Sequence, residues 1–174
     1  MNKPKAIFID IDGTLFSHKH HLIPDSAIEA ISYAKDMGAL LFIATGRHKH
    51  EIEVVPDMEG LPIVTYGKED ESFFRGLPGV KVTSWLDSGL DIVNSTVNKW
   101  DGILSVLEAY GIDPGDVAAI GDADNDKEML SYAGYSIAMG NADEDVKACA
   151  KFVTSHIDEN GLREAIYHLY GRTS

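Results

Sequence analysis

Four apolar residues, Ala6-Ile7-Phe8-Ile9, run directly into Asp10-Ile11-Asp12-Gly13-Thr14-Leu15, so two carboxylates sit two residues apart where the run breaks into a glycine. An apolar run of this kind reads as a strand buried on both faces, the habit of strands in a parallel sheet. Carboxylates at the end of such a strand are costly to bury unless a cation pairs with them or chemistry uses them. The carboxyl ends of strands in an open α/β sheet are also where ligands bind. Taken alone, the hexapeptide also fits a plain acidic turn, and the rest of the chain decides between the two.

The same grammar recurs downstream. Pro24-Asp25-Ser26 supplies a helix start, Ala27, Ile28, Ile31 and Ala34 follow at helical spacing, and Gly38 stops the element. Ala39 to Ala44 reads as a second buried strand, ending in Thr45-Gly46-Arg47. A short polar helix to Pro56 and a third strand from Ile63 complete a strand-helix alternation that implies a parallel sheet with right-handed crossovers. Between Gly67 and about Asn98, glycines punctuate two short runs, Val80 to Trp85 and Leu90 to Val93, which read as an antiparallel pair. The alternation then resumes. A helix carries Ile103, Leu104, Leu107 and Tyr110 on its apolar face, a strand spans Val117 to Ile120, and a helix runs through Met129 and Leu130. Short strands at Tyr135–Met139 and Phe152–Thr154 precede a last helix with Leu162, Ala165, Ile166 and Leu169 inward. The fold class expected is α/β: a three-layer, Rossmann-like parallel sheet flanked by helices, with a small β-hairpin-like insertion.

Composition narrows the partners. Fifteen Lys and Arg against 28 Asp and Glu leave a formal charge of −13, which repels nucleic acid and anionic membranes. No run approaches the roughly 20 residues of a membrane span. Cys149 is the single cysteine, so an intrachain disulfide is excluded; it reads as a small core residue, and a cytoplasmic location is the default expectation.

Three strands thus end in polar clusters: Asp10 and Asp12, then Thr45-Gly46-Arg47, then Gly121-Asp122-Ala123-Asp124-Asn125-Asp126. In a parallel sheet those ends converge. Carboxylates gathered there repel one another unless a hard cation sits between them, and Mg²⁺, held by a few carboxylates together with water and substrate phosphate, suits that need. A calcium loop is the alternative for the third cluster, but the glycine at its sixth position and the terminal glutamate are missing. Arg47 and Lys99, the latter at a helix start, add positive charge and complete a phosphate site. Asn125 and Asp126 also fit a helix N-cap.

Asp10-Ile-Asp-Gly-Thr-Leu, Thr45-Gly-Arg, Lys99 and Gly121-Asp-x-x-Asn-Asp126 resemble, in order, the four motifs of the haloacid dehalogenase superfamily. Gly134 to Ala142 and Val146 to Thr154 further resemble its Cof-type sugar phosphatase branch. The resemblance implies a Mg²⁺-dependent phosphomonoester hydrolase acting on a small phosphate ester, without nucleic acid or membrane as partner. It implies Asp10 as a nucleophile forming an aspartyl-phosphate and Asp12 as general acid and base. Mg²⁺ would be held by the Asp10 side chain, the Asp12 backbone carbonyl and Asp122, with Asp126 supporting the metal shell. Thr45 would bond phosphoryl oxygens and Lys99 would neutralise developing charge, while Gly46, Arg47 and Asn125 would complete the substrate contacts.

The chain departs from that branch in one place. Only 51 residues separate Arg47 from Lys99, too few for a large α/β cap as well as the strand at Ile63. The expected organisation is therefore a core of residues 1–66 and 95–174, with 67–94 as a residual cap segment. An open cleft would receive water and offer the leaving group few contacts, so weak, promiscuous activity is expected. A homo-oligomer covering the cleft through Phe73, Phe74 and Trp85 is an alternative to those aromatics forming the hairpin's local core. His18, His20, His21, His48 and His50 read as solvated loop residues, with leaving-group contact as the sharper alternative. Phosphotransfer between sugar hydroxyls, and a phosphate-binding module without turnover, are the competing functions.

Overall fold

The computed structural model describes residues 3–47, 63–65, 80–85, 89–94 and 98–172. Six strands form one parallel sheet: β1 (Ala6–Ile9), β2 (Leu40–Thr45), β3 (Ile63–Thr65), β6 (Val117–Gly121), β7 (Tyr135–Ala138) and β8 (Phe152–Val153). Their order across the sheet is β3-β2-β1-β6-β7-β8. From β1 the chain winds outward to β2 and β3 on one side, and later to β7 and β8 from β6 on the other. The order therefore reverses between β1 and β6, and a crevice opens at such a reversal at the strands' carboxyl ends. The two remaining strands, β4 (Val80–Trp85) and β5 (Gly89–Asn94), form the antiparallel ladder anticipated from the sequence, with Val82 opposite Ile92.

β1 shows why the opening run had to be apolar throughout. Ile7 and Ile9 point into one core and Ala6 and Phe8 into the other, all four inaccessible to solvent. On the first face lie α1 (Asp25–Asp36) and α5 (Gly161–Tyr170); on the second lie α2 (Lys99–Tyr110) and α3 (Lys127–Tyr132), and a short α4 spans Glu144–Lys147. The three-layer α/β expectation holds.

Two helix faces are rotated from the pattern expected. α1 buries Ala27, Ala30 and Ala34, whereas Ile28 is exposed and Ile31 only partly covered. It packs against α5 as well as the sheet, with Tyr33 edge-on to Tyr167 and Tyr170. Small residues permit that close approach, where a row of isoleucines would hold the helix off. In α2 the buried face is Trp100, Ile103 and Leu107, leaving Leu104 and Tyr110 exposed. Trp100 lies against Tyr132 near α3, so the helix turns its first turn inward. Cys149 is partly covered at the edge of the second core rather than inside it.

Candidate active site

Strand register alone brings the two acidic clusters and Thr45 level. Ile9 pairs with Ile43 on β2 and with Ile120 on β6, so Asp10, the end of β2 and Gly121-Asp122 leave the sheet side by side. The Asp10 N–H donates to the Ile120 carbonyl at 3.0 Å, extending the ladder one residue to the nucleophile candidate.

Lys99 arrives from the other direction. Asn98 caps α2 with a reciprocal capping box: its side chain accepts from the Asp101 N–H at 3.1 Å, and Asp101 accepts from the Asn98 N–H at 2.9 Å. That box fixes the first helical residue, Lys99, whose Nζ lies 2.5 Å from both an Asp10 and an Asp126 carboxylate oxygen. All three side chains are buried.

Asp126 does not cap α3 with its side chain. It lies in the turn Asp124–Asp126 and reaches back, its Oδ2 accepting from the Asp122 and Ala123 N–H groups at 2.9 and 3.0 Å. This closes the loop that presents Asp122. Gly121 is required for it, since a Cβ there would come within 2.5 Å of the Asp126 carboxyl carbon. Asp122 is clamped in turn: Thr14 Oγ1 donates to one of its oxygens at 2.7 Å and Asn141 Nδ2 to the other at 3.0 Å.

Asp10, Asp122 and Asp126 thus bring carboxylate oxygens within 4.8 Å of one another, the one such cluster among the described residues. Burial pushes the Asp10 carboxyl well above its usual range despite Lys99, with Asp126 and Asp122 adding to the rise. Burial first and Asp126 second raise Asp122 to about 7. Three carboxylates face one ammonium. The uncompensated charge and the all-oxygen donor set fit a hard dication.

Asp12 stands outside this group. Its carboxylate is held in a fork by Arg47, with Nε at 2.7 Å from Oδ2 and the second guanidinium nitrogen on Oδ1. His18 Nε2 lies 2.9 Å from Oδ1, so this exposed histidine is solvated, as expected, and also touches Asp12. Thr45 is buried and accepts from the Arg47 N–H at 3.1 Å, which folds Thr45-Gly46-Arg47 over the strand end. Asn125 is half-buried in the turn beside Asp126. His20 lies 3.8 Å from Asp158, and His21 takes a left-handed conformation in the exposed loop. His48, His50, Phe73 and Phe74 fall outside the described residues.

Sequence reasoning gave no role to Thr14 or Asn141, and read His18 as a solvated loop residue or a leaving-group contact rather than a partner of Asp12. Thr14 and Asn141 were legible only as members of the quoted motifs. The histidine cluster drew attention to His18 but not to its pairing with Asp12, because the turn Ser17 to Leu22 that carries it has no fixed spacing to the strand end.

The model for haloacid dehalogenase-like hydrolases matches residues 7–68 and 68–166. A phosphoglycolate phosphatase of Archaeoglobus fulgidus is 40% identical over 223 aligned positions, covering 97% of this chain and 98% of the relative. That alignment is 49 positions longer than the 174 residues of this chain, so the relative carries sequence with no counterpart here. An uncharacterized protein of Geobacillus stearothermophilus is 45% identical over 85 residues, 49% of this chain and 90% of its own length. The chain spans only 34–39% of the length of four further curated relatives. Among solved structures, that of the subclass IIB sugar phosphatase BT4131 superposes with a TM-score of 0.79, covering 96% of this chain and 99% of that one. At 24% identity the likeness is one of fold. Among the described residues no helix is long and apolar enough to cross a membrane.

Proposed function

Because the chain belongs to the haloacid dehalogenase-like hydrolases, we propose that it is a Mg²⁺-dependent phosphomonoesterase acting on small sugar phosphates, with Asp10 as its nucleophile. The observation that carries this reading is Asp10 itself: buried at a strand end, 2.5 Å from Lys99, with carboxylate oxygens of Asp122 and Asp126 close by.

An Asp10 oxygen attacks phosphorus as the bond to the leaving alcohol breaks, giving an aspartyl-phosphate and splitting one hard displacement into two easier ones. Asp12, whose two oxygens accept from Arg47, protonates the leaving oxygen once the guanidinium turns to the substrate phosphate and one carboxylate oxygen is free to carry a proton. It then takes a proton from the water that hydrolyses the intermediate. Lys99 keeps a positive charge against the nucleophile and the incoming phosphoryl oxygens, and Thr45 offers its hydroxyl to one of those oxygens. Gly46, Arg47 and Asn125 line the substrate side. Mg²⁺ would be held by the Asp10 side chain, the Asp12 carbonyl and Asp122, with Asp126 behind them. When bound, it screens the repulsion between carboxylate and phosphate dianion.

Residues 67–94 take the place of a cap over a core of 1–66 and 95–174. The family model matching in two pieces that meet at residue 68 supports a break there. The sugar phosphatase and phosphoglycolate phosphatase names among the relatives support a small phosphate ester as substrate. The test is release of inorganic phosphate from p-nitrophenyl phosphate and a sugar phosphate panel, with Mg²⁺ or EDTA, for the wild type and Asp10→Asn. Mg²⁺-dependent release that Asp10→Asn abolishes is expected. Phosphate retained on an organic acceptor would mean phosphotransfer, and no turnover at all would mean a binding module.

A further inference from the structure

Asn141 lies outside every motif to which the reaction assigns a role, yet its side chain joins three parts of the site. Its Nδ2 donates to the Gly13 carbonyl at 2.8 Å and to Asp122 Oδ2 at 3.0 Å, and its Oδ1 accepts from the Ile157 N–H at 3.0 Å. These partners fix which way the amide faces. Exchanging its oxygen and nitrogen would set N–H against N–H, and oxygen against both a carbonyl and a carboxylate.

The backbone that presents this side chain is locked. After β7, the Met139 N–H donates to the Gly121 carbonyl and the Ala142 N–H to the Met139 carbonyl, each at 3.0 Å. Gly140 donates to the Ser155 carbonyl at 3.0 Å and lies so close that a Cβ would meet the Thr154 oxygen and Ser155 carbon at 2.6 Å. Asn141 therefore projects from a turn pressed onto the chain leaving β8.

We infer that Asn141 is a positioning residue that sets the rotation of the Asp122 carboxylate, and its distance from the loop bearing Asp10 and Asp12, so that the metal ligands are preorganised. With Thr14 on Oδ1 and Asn141 on Oδ2, the carboxylate plane is held from both sides, and each oxygen keeps lone-pair capacity for a cation. The hydrogen bond to the Gly13 carbonyl ties the same amide to the residue between Asp12 and Thr14. Partners of this kind behind a metal ligand typically change metal affinity by about 10- to 100-fold. The inference rests on the proposed Mg²⁺ site and deepens it.

Mg²⁺ titration calorimetry on the full chain tests it, comparing wild type, Asn141→Ala and the milder Asn141→Ser. A Kd for Mg²⁺ weakened about 10- to 100-fold is expected for the alanine variant, with serine weakened less. Turnover of p-nitrophenyl phosphate should recover as Mg²⁺ is raised, with KM for the ester at saturating Mg²⁺ close to wild type. The rise in Tm between EDTA and Mg²⁺ should also shrink, whereas a merely structural role would lower Tm equally in both and leave the increment intact. A wild type that binds Mg²⁺ alongside variants with the same Kd and increment overturns this inference alone. A wild type that takes up no Mg²⁺ overturns the metal reading, and this inference with it.

Discussion

Replacing Lys99 with methionine keeps most of the side-chain volume and removes the one ammonium from between Asp10 and Asp126. Both contacts are at 2.5 Å, and all three groups are shielded from solvent. Breaking a buried ion pair by deleting one partner costs about 3–5 kcal/mol, because a charge is left uncompensated. For a chain of this size 1 kcal/mol moves Tm by about 2–4 °C, so Lys99→Met should melt roughly 6–20 °C below the wild type at pH 8 in EDTA. The deficit should depend on pH. Without Lys99 the folded-state proton affinity of Asp10, already high, rises further. The folded form then binds more protons than the unfolded chain, and stability falls as pH rises. At pH 5 the deficit should therefore shrink. Mg²⁺ should restore part of it at pH 8 by supplying positive charge to the same oxygens. Circular dichroism melts at pH 5 and 8, with EDTA or Mg²⁺, would measure this. A variant as stable as wild type at pH 8 in EDTA would refute the reasoning, since the carboxylates would then not need that cation.

On the Asp122 carboxyl alone, the wild type without metal should itself lose up to about 4 kcal/mol of stability between about pH 4 and 7, and the raised Asp10 carboxyl adds to that loss. The Asp122 carboxyl is raised to about 7, so the folded state holds a proton the unfolded chain has released; urea titrations should show this slope flattening when Mg²⁺ is present. Gly13→Ala places a Cβ at φ +82° and 2.1 Å from Asp122 Oδ2. The backbone conformation costs about 1–2 kcal/mol, and Mg²⁺ binding by calorimetry should weaken as the carboxylate is displaced. Arg47→Met frees Asp12 from its fork, and should lower kcat by roughly 100-fold through misplacement of the proton donor while leaving the urea midpoint nearly unchanged.

How much of this was legible beforehand follows the physics of each signal. The strand ends were readable because a strand buried on both faces is apolar along most of its length, so the switch to Asp10, Thr45 and Asp122 marks its end to within a residue. Helix faces were less readable. The α1 pattern of Ala27, Ile28, Ile31 and Ala34 was right for the two alanines, but the face is chosen by how closely a neighbouring helix must approach, so Ala30 is buried in place of Ile28 and Ile31. Site residues to which the resemblance assigns a role were named, whereas Thr14 and Asn141 were quoted within motifs without one. Asn141 was missed as a contributor and His18 was not paired with Asp12, because these contacts run across loops, where no periodicity constrains spacing. The Asn98/Asp101 capping box that aims Lys99 was not read from the sequence, which placed Lys99 only at a helix start; the structure supplies both the box and the burial of Lys99.

The central claim is that acids from separate strand ends hold one dication beside Asp10. Anomalous diffraction from crystals grown with Mn²⁺ tests it most directly. The account predicts a single strong peak bonded to Asp10 and Asp122 and lost in Asp122→Asn; an empty map there, or a peak held by other residues, would contradict it.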